Sequence, residues 1–251
     1  MIKLKSPKQI EKMRRAGKIT AAARALAGKM VAPGVTTREI DKAVHDFILS
    51  QGATPTFLGY SGYPASLCIS INDEVIHGIP GKRVIREGDV VSIDVGATKD
   101  GFVGDCAATF IAGKGSAEAH RLVEVTRQSF FEGIKYAKVG YRVSDIGAAV
   151  QSYVEKNGFS VVRDYVGHGV GEVMHEDPEI PNYGRPGHGM RLLAGMTIAV
   201  EPMVNAGGYP VKVLKDGWTV VTRDGSLSAH YENTILITNG EPEILTVAGE
   251  Q

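Results

Sequence analysis

The sequence predicts an α+β fold, and two observations support this prediction. Segments with helical periodicity come before segments with strand-like alternation, and this order occurs twice along the chain. Runs of helices followed by runs of strands are typical of α+β folds, whereas regular alternation is typical of α/β folds. The chain has 251 residues, 43% hydrophobic and 22% charged, which suffices for one sizeable core or two small ones and excludes collagen, coiled coils and disorder.

The first half of the chain begins with two predicted helices. The first follows Ser6-Pro7, where Ser6 caps the helix and the missing N–H of Pro7 costs nothing, and it ends at Pro33-Gly34. The second opens at Thr37 and closes at Gly52. Residues 53–64 are rich in glycine, proline and tyrosine and are predicted to form a loop. Strand patterns follow at Leu67–Ile71, Val90–Val95 and Phe102–Ile111.

The second half of the chain shows the same order of elements. Ser116–Lys138 and Ser144–Lys156 have helical patterns, and Asn157-Gly158 closes the second of these helices. Several short strand patterns follow. They lie at Val161–Tyr165, Thr197–Val200, Val211–Leu214, Trp218–Thr222 and Thr234–Thr238.

The two halves also share local sequence. The aligned segments are 34–44 with 140–150, at an offset of 106 residues, and 87–94 with 194–201. The second alignment matches Asp94 with Glu201, and a later one matches Asp105 with Glu232. The repetition predicts a single pseudo-two-fold domain whose four acids meet at its centre. We place this domain at residues 1–251, with half-repeats at approximately 34–112 and 140–240.

The first pair of acids lies on a predicted hairpin. Lys99-Asp100-Gly101 is a turn signal, and a hairpin centred between Lys99 and Asp100 places Asp94 directly opposite Asp105. A shift of the centre by one residue moves the partner by two, so both carboxylates stay on one face of the sheet. Facing carboxylates repel each other, and such a pair needs a cation or a shared proton.

The second pair of acids, Glu201 and Glu232, is expected to form a second pair of neighbouring carboxylates. A hairpin centred on Asp216-Gly217 would also place these two acids opposite each other. Pro202 and Gly207-Gly208 are expected to interrupt its strands, so this pairing is only weak support. Four ionised carboxylates can be neutralised by two divalent cations. Ligation by oxygen with a minority of nitrogen suits Mn, Fe, Co, Zn or Mg, and the residues do not choose among them.

Three of the seven histidines lie in contexts that indicate function. His168 is flanked by glycines that let a ligand approach closely, and His175 follows seven residues later. His77 lies in a His-Gly-Ile-Pro segment of the first half. A lone histidine is more often structural or exposed, and that interpretation is given to His45, His120, His188 and His230.

Taken together, these motifs resemble those of the type I methionine aminopeptidases over nearly the whole chain. The resemblance implies a pita-bread fold, in which an antiparallel sheet covered by helices has an internal pseudo-two-fold axis. It also implies a hydrolase that removes the initiator methionine from nascent proteins whose second residue is small. The matching pieces begin at Tyr60 (YSGYP), Cys68 (CISIN), His77 (HGIP), Ile93 (IDV), Asp100 (DGF), Gly104 (GD), Gly167 (GHGVG), His175 (HEDP), Glu201 (EP) and Tyr231 (YENT).

The same resemblance implies a dinuclear metal site with Mn, Fe, Co or Zn. Asp94 and Asp105 would bind one ion, and Asp105 and Glu232 would bridge it to the second. His168 and Glu201 would complete the ligands of the second ion. A hydroxide held between the two ions would attack the peptide carbonyl.

Catalytic and substrate-binding roles are likewise implied by the resemblance. Glu201 would shuttle the proton, His175 would stabilise the tetrahedral oxyanion, and His77 would contact the substrate near the scissile amide. The family often has an aromatic residue where Met174 stands, and a flexible thioether can still line a methionine pocket. The implied pocket consists of Tyr60, Tyr63, Cys68, Met174 and Trp218.

The distribution of charge and cysteine bears on partners and location. Ten Lys and Arg against Glu11 give residues 1–38 a charge of +9 in a neutral chain. We expect either a solvated helix face or contact with ribosomal RNA through basic residues 3–38. The sequence has no membrane span and no secretory signal, and Cys68 and Cys106 form no disulfide framework. These features predict a cytoplasmic protein, and none of them demands more than a monomer.

Two other interpretations remain open, namely a pita-bread binding module without catalysis and a prolidase-like peptidase. The presence of all five implied ligands argues against the first. Prolidases usually carry an extra N-terminal domain, and about 33 residues before the first half-repeat leave no room for one.

Overall fold

A computed structural model describes residues 2–247 of the chain. Met1 and residues 248–251, at the two ends of the predicted domain, lie outside the described residues. The helices are α1 (Pro7–Met30), α2 (Thr37–Ser50), α3 (Ala117–Ile134) and α4 (Val143–Lys156). The strands of the first half are β1 (Thr54–Pro55), β2 (Leu67–Ile71), β3 (Glu74–Ile76), β4 (Val90–Lys99) and β5 (Phe102–Ile111). The later strands are β6 (Ser160–Val161), β7 (Gly167–Gly169), β8 (Glu176–Ile180), β9 (Thr197–Val200), β10 (Met203–Asn205), β11 (Val211–Val213), β12 (Val220–Thr222), β13 (Ser228–His230), β14 (Asn233–Leu236) and β15 (Glu243–Ile244).

The first two helices begin at side chains that satisfy free backbone N–H groups. The Ser6 hydroxyl accepts from the backbone N–H of Gln9, and the Gln9 side chain accepts from the backbone N–H of Ser6. Thr36 and Glu39 form the same reciprocal pair at the start of α2. α2 and α4 have 14 residues each and begin at the offset found in the sequence. None of the helices between residues 2 and 247 is long and apolar enough to cross a membrane.

The ladders of the named strands are antiparallel throughout the described residues. In the first half, β4 pairs with β1 and β2 along one edge and with β5 along the other. In the second half, a sheet runs in the order β15-β14-β9-β7-β8. α1 packs on β4 and β5, and α3 and α4 pack on each other and on strands of the second half. The predicted antiparallel sheet with covering helices is confirmed.

The β4–β5 hairpin corrects one predicted register. Its turn is Asp100-Gly101, both with positive φ, at 52° and 77°, because Asp-Gly is well suited to a two-residue hairpin turn. The centre therefore lies one residue later than predicted. Asp94 pairs with Ala107 and Asp105 pairs with Gly96, so the two acids are diagonal neighbours rather than direct partners. As expected for a shift of two, they remain on the same face.

The reflection about Asp216-Gly217, which the sequence supported only weakly, relates three pairs of strands in the structure. Val200 pairs with Asn233 in β9–β14, and the same mirror relates the pairs of β10–β13 and β11–β12. Proline and glycine divide the long hairpin into short strands without changing its register. Glu201 directly follows Val200 and Glu232 directly precedes Asn233, so the two acids lie side by side just beyond the β9–β14 ladder.

Other boundaries differ from the prediction in the irregular parts of the chain. α3 ends at Ile134 instead of Lys138, because the chain turns back through hydrogen bonds from Tyr136 and Ala137. β6 is shorter than the predicted Val161–Tyr165. The strands β1, β3, β7, β8, β10, β13 and β15 are too short, or too rich in glycine and proline, to show a strand pattern in the sequence.

The two halves are joined where β5 meets the residue before β14. Ala107 and Glu232 exchange backbone hydrogen bonds of 3.2 and 2.9 Å. The Thr234 hydroxyl accepts from the backbone N–H of Asp105 and donates to its carbonyl. Arg24 of α1 donates to the carbonyls of both Ala107 and Glu232 from the outer side. The junction therefore fixes Asp105 and Glu232 relative to each other.

Candidate functional site

A cavity lies at this junction, and every predicted site residue lines it. Asp94 and Asp105 come from the β4–β5 hairpin, whereas Glu201 and Glu232 come from the ends of β9 and β14. The predicted residues that line the cavity are Tyr60, Tyr63, Cys68, His77, Asp94, Asp105, His168, Met174, His175, Glu201, Trp218 and Glu232.

The buried end of the cavity, which we call the floor, consists of Asp94, Asp105, His168, Glu201 and Glu232. Single potential ligand atoms of Asp105, His168 and Glu232 lie within 4.8 Å of one another. The Nε2 atom of His168 lies 3.4 Å from Oε1 of Glu201 and 3.8 Å from Oδ2 of Asp105. The floor thus brings ligands from both halves to one point.

His168 presents a bare nitrogen to the carboxylates of the floor. Its Nδ1 lies 2.8 Å from the carbonyl oxygen of Gly169, and because a carbonyl only accepts, Nδ1 carries the proton. Burial, with a smaller effect of His175, lowers the pKa of His168 to about 4, so the ring is neutral at neutral pH. The Nε2 lone pair therefore points at oxygen acceptors, an arrangement that a metal ion satisfies.

The four carboxylates of the floor are buried without enough partners. Within residues 2–247, a buried oxygen of each of Asp94, Asp105, Glu201 and Glu232 has no hydrogen-bond partner. Burial raises the pKa of Asp105 to about 7. Burial and then the neighbouring Asp105 charge raise the pKa values of the other three well above the usual range. Cations supply both the charge and the ligand bonds that these oxygens lack, so the residues fit a site for divalent metal ions.

The open side of the cavity, which we call the rim, is formed by Tyr60 and His175. The Tyr60 hydroxyl lies 2.6 Å from Nδ1 of His175. A hydroxyl that donates to Nδ1 leaves the imidazole proton on Nε2, where it can serve as a donor. Burial lowers the pKa of His175. The ring centres of His168 and His175 are 4.3 Å apart, so the rim borders directly on the floor.

An apolar pocket lies beside the floor and is formed by Phe57, Tyr63, Cys68, Met174 and Trp218. The ring of Trp218 meets that of Tyr63 nearly edge-on at 5.0 Å. The Tyr63 hydroxyl donates to the carbonyl of Gly78 at 2.9 Å, which fixes the ring. Cys68 pairs with Asp94 in the β2–β4 ladder and so marks the boundary between pocket and floor.

His77 lies at the edge of this pocket in a left-handed backbone conformation, with φ of 60°. Its ring centre is 6.3 Å from that of Trp218 and 5.8 Å from that of Tyr165. Burial, and then His175, lowers the pKa of His77 to about 4. A neutral imidazole at this place can accept or donate a hydrogen bond without adding charge to the site.

Three neighbours of the site were not predicted. Phe57 lies in the predicted loop, and the missing side chain of Gly96 makes room for its ring, so a glycine inside a strand was the available signal. Tyr165 packs on His77 and carried no signal in the sequence. Nε2 of His230 lies 4.0 Å from carboxylate oxygens of both Glu201 and Glu232. Its position two residues before Glu232 placed it on the same face of the chain, which was the signal for it.

A pita-bread fold that buries carboxylates and a neutral imidazole around one point defines a metal-dependent hydrolase. The chain belongs to metallopeptidase family M24, whose sequence model matches residues 11–239. The predicted class of enzyme, a metal-dependent aminopeptidase, and the predicted fold are both confirmed by this family and by the relatives of the chain.

The relatives agree in size as well as in sequence. A methionine aminopeptidase of Clostridium perfringens is 56% identical over 247 residues, which cover 98% of this chain and 99% of that protein. The crystal structure of a methionine aminopeptidase from Rickettsia prowazekii superposes with a TM-score of 0.97 at 46% identity, covering 98% of this chain and 100% of that one. A prolidase from Pyrococcus furiosus shares the fold, with a TM-score of 0.79 at 23% identity, but this chain spans only 66% of it.

Proposed function

We propose that this chain is a type I methionine aminopeptidase that removes the initiator methionine from nascent proteins with a small second residue. One observation carries the proposal: a buried cluster of ligands lies directly beside an apolar pocket of the kind that takes a thioether side chain. Because the floor residues are buried, a substrate would present the end of its chain there. The names of the relatives support the same activity.

The proposed cofactors are two divalent ions, of Mn, Fe, Co or Zn. Asp94 and Asp105 would hold one ion, Asp105 and Glu232 would be shared, and His168 and Glu201 would complete the other. The unpartnered oxygens and the bare Nε2 of His168 support this ligand set. When bound, such ions supply an activated water near neutral pH and positive charge beside the scissile carbonyl.

The residues of the chain would divide the remaining work. Glu201 would take a proton and deliver it to the leaving amine, because its carboxylate lines the cavity beside the apolar pocket. His175 would donate from Nε2 to the oxyanion, with Tyr60 holding its Nδ1. His77 would contact the substrate near the scissile amide.

The methionine side chain would occupy the apolar pocket, with Tyr60 at its entrance. Tyr63 and Trp218 supply rigid ring faces, and Cys68 supplies a small buried contact. Met174 is 6% exposed and supplies a flexible, polarizable contact in place of the aromatic residue that the family often has.

The direct test is release of methionine from the peptide Met-Ala-Ser, with Ala-Ala-Ser as the matched control. We expect the N-terminal residue to be released from Met-Ala-Ser and not from Ala-Ala-Ser. A chelator should abolish this release, and added Mn or Co should restore it. A protein that binds Met-Ala-Ser without cleaving it in the presence of either metal would favour a binding module. Hydrolysis of Ala-Pro in preference to Met-Ala-Ser would favour a prolidase-like peptidase.

We further propose that residues 1–251 form one catalytic domain with half-repeats near 34–112 and 140–240, and that it works as a cytoplasmic monomer. The matched bounds of α2 and α4 support the repeat. The free cysteines Cys68 and Cys106 suit a reducing compartment. Sedimentation at micromolar concentration tests the oligomeric state.

Contact with the ribosome is proposed for basic residues 3–38. Lys3, Lys5, Arg14 and Arg15 pair with acids elsewhere in the fold, which lowers the net charge of this face. Binding would therefore be weak and sensitive to salt. The triple reversal of Lys8, Lys12 and Arg15 to Glu should abolish cosedimentation with ribosomes. The matched reversal of Lys42, Lys114 and Lys156 should leave it unchanged, and equal binding of both variants would contradict the proposal.

A further inference from the structure

A buried ion pair lies directly behind the loop that carries His175. This loop, residues 170–175, joins β7 to β8 and brings Met174 and His175 to the cavity. Immediately after it, Oε2 of Glu176 accepts a hydrogen bond of 2.5 Å from Nζ of Lys5. The two side chains are only 7% and 4% exposed, respectively. Nothing in the proposed chemistry uses this pair.

The pair ties the loop to the segment that precedes α1. Oε1 of Glu176 accepts from the backbone N–H of Glu172 at 3.0 Å, which closes the loop on itself. Nζ of Lys5 also donates to the carbonyl of Lys3 at 3.2 Å, and the backbone N–H of Lys5 donates to the carbonyl of Gly195 at 2.8 Å. The ammonium group is thus fixed by the N-terminal segment on one side and by the loop on the other.

Gly171 makes the space in which the pair lies. A Cβ atom at this position would stand 2.6 Å from Cε of Lys5 and 2.6 Å from Oε1 of Glu176. The carbonyl of Gly171 accepts from the backbone N–H of Val103 at 2.8 Å, so the start of the loop is also bound to β5. The loop is therefore held at both ends. The ion pair restrains the backbone next to His175, whereas Tyr60 contacts the His175 ring itself.

We propose that Lys5 and Glu176 are positioning residues for His175. The inference rests on the proposed function, in which His175 donates to the oxyanion. Adjacent Cα atoms are about 3.8 Å apart, so a movement of Glu176 moves His175 with it. Displacement of a catalytic group by about 1 Å can lower a rate by about a hundredfold. A residue of the N-terminal segment that does not line the cavity thereby sets the position of His175 relative to the floor.

The test uses the double variant Lys5→Met, Glu176→Gln. Methionine keeps the apolar stem, glutamine keeps an acceptor for Glu172, and no unpaired charge is left buried. The matched control is Lys3→Met, because Lys3 pairs with Glu172 of the same loop at 3.1 Å but both side chains are at least half exposed. We expect the double variant to lower kcat for Met-Ala-Ser about tenfold at unchanged KM. The control should change neither constant.

A second background separates positioning from general weakening. In the His175→Ala enzyme, the double variant should cause no further loss of kcat, because the ring that the pair positions is gone. An equal loss in both backgrounds would overturn the inference.

Ring signals of His175 in nuclear magnetic resonance spectra of the metal-free protein give a readout independent of catalysis. They should shift in the double variant and stay unchanged in Lys3→Met. Unchanged ring signals together with unchanged kcat in the double variant would overturn the inference. Failure of the wild-type protein to release methionine would instead overturn the proposed function.

Discussion

The floor and the rim of the cavity are neighbours, yet they are built in opposite ways. The floor acids stand on or beside the ends of antiparallel strands, and several of their buried oxygens lack partners. The rim comes from irregular segments, the turn at Tyr60–Gly62 and the loop before β8. Its two residues satisfy each other through the hydrogen bond between Tyr60 and His175.

This difference separates two kinds of contribution. Backbone hydrogen bonds between Ala107 and Glu232 join the two halves of the floor. They can hold the carboxylates close together against their mutual repulsion, because the packed core keeps the strands from moving apart. The free energy of that arrangement is unfavourable until cations bind. The rim residues have hydrogen-bond partners and carry no buried unpaired charge. They can therefore act on the reacting carbonyl without a role in binding metal. Changes to the floor should therefore alter metal affinity and stability, whereas changes to the rim should alter turnover alone.

The largest effect is expected from Asp105→Asn, which removes the acid assigned to both ions. We expect activity on Met-Ala-Ser to fall at least about a thousandfold, and titration calorimetry to show weaker binding of Mn. The matched control is Asp100→Asn, an exposed acid in the turn of the same hairpin, where asparagine also tolerates the positive φ. Full activity of the Asp105 variant would break the distinction between floor and rim.

The same substitution should stabilise the metal-free protein, in a manner that depends on pH. The pKa of Asp105 is about 7 in the fold and about 4 when unfolded, so the folded state binds the proton more tightly and the wild type loses stability as pH rises from about 4 to about 7. Asparagine does not ionise, so the variant does not lose this stability as the pH rises. In the presence of a chelator, the variant should be no more stable than the wild type near pH 4, and its advantage in the free energy of unfolding should grow as the pH rises towards 7. Urea titrations at several pH values measure it, and an advantage that shrinks with pH would contradict the sign.

A change at the rim should act on turnover alone. His175→Ala removes the proposed oxyanion donor, and we expect kcat to fall by about a hundredfold. The affinity for Mn should stay within about twofold of the wild type, because the nitrogen that faces the carboxylates belongs to His168. Measurement of both quantities on one preparation sharpens the comparison. A large loss of metal affinity would show that the rim takes part in ligation.

The sequence predicts the floor better than the rim, for a physical reason. Strands have a side-chain period of two, so the hairpin placed Asp94 and Asp105 on one face even though its centre was wrong by one residue. The mirror about Asp216-Gly217 likewise kept its register through interruptions by proline and glycine. The repeat in the sequence predicted that the two pairs of acids meet, and all four line one cavity.

Irregular segments offer no such period. No spacing rule brings Tyr60 to His175 across 115 residues, and the resemblance to a family placed both at the site without their hydrogen bond. Phe57 was missed because its loop has no pattern, and the Lys5–Glu176 pair was missed because a basic N-terminal segment is typical of a solvated surface. His230 was missed because a single histidine carries little information until the backbone geometry that brings its Nε2 to 4.0 Å from Glu232 is known.

The smallest predicted effect concerns the hydrogen bond within the rim. Tyr60→Phe keeps the ring at the pocket entrance and removes the hydroxyl that contacts Nδ1 of His175. The loss of one hydrogen bond of about 1 kcal/mol corresponds to about a fivefold lower kcat, with KM for Met-Ala-Ser nearly unchanged because the ring remains. Tyr136→Phe is the control, since Tyr136 is equally exposed and does not line the cavity. In the His175→Ala background the Tyr60 substitution should have no further effect, and a fivefold loss there would show that the hydroxyl acts on the substrate directly.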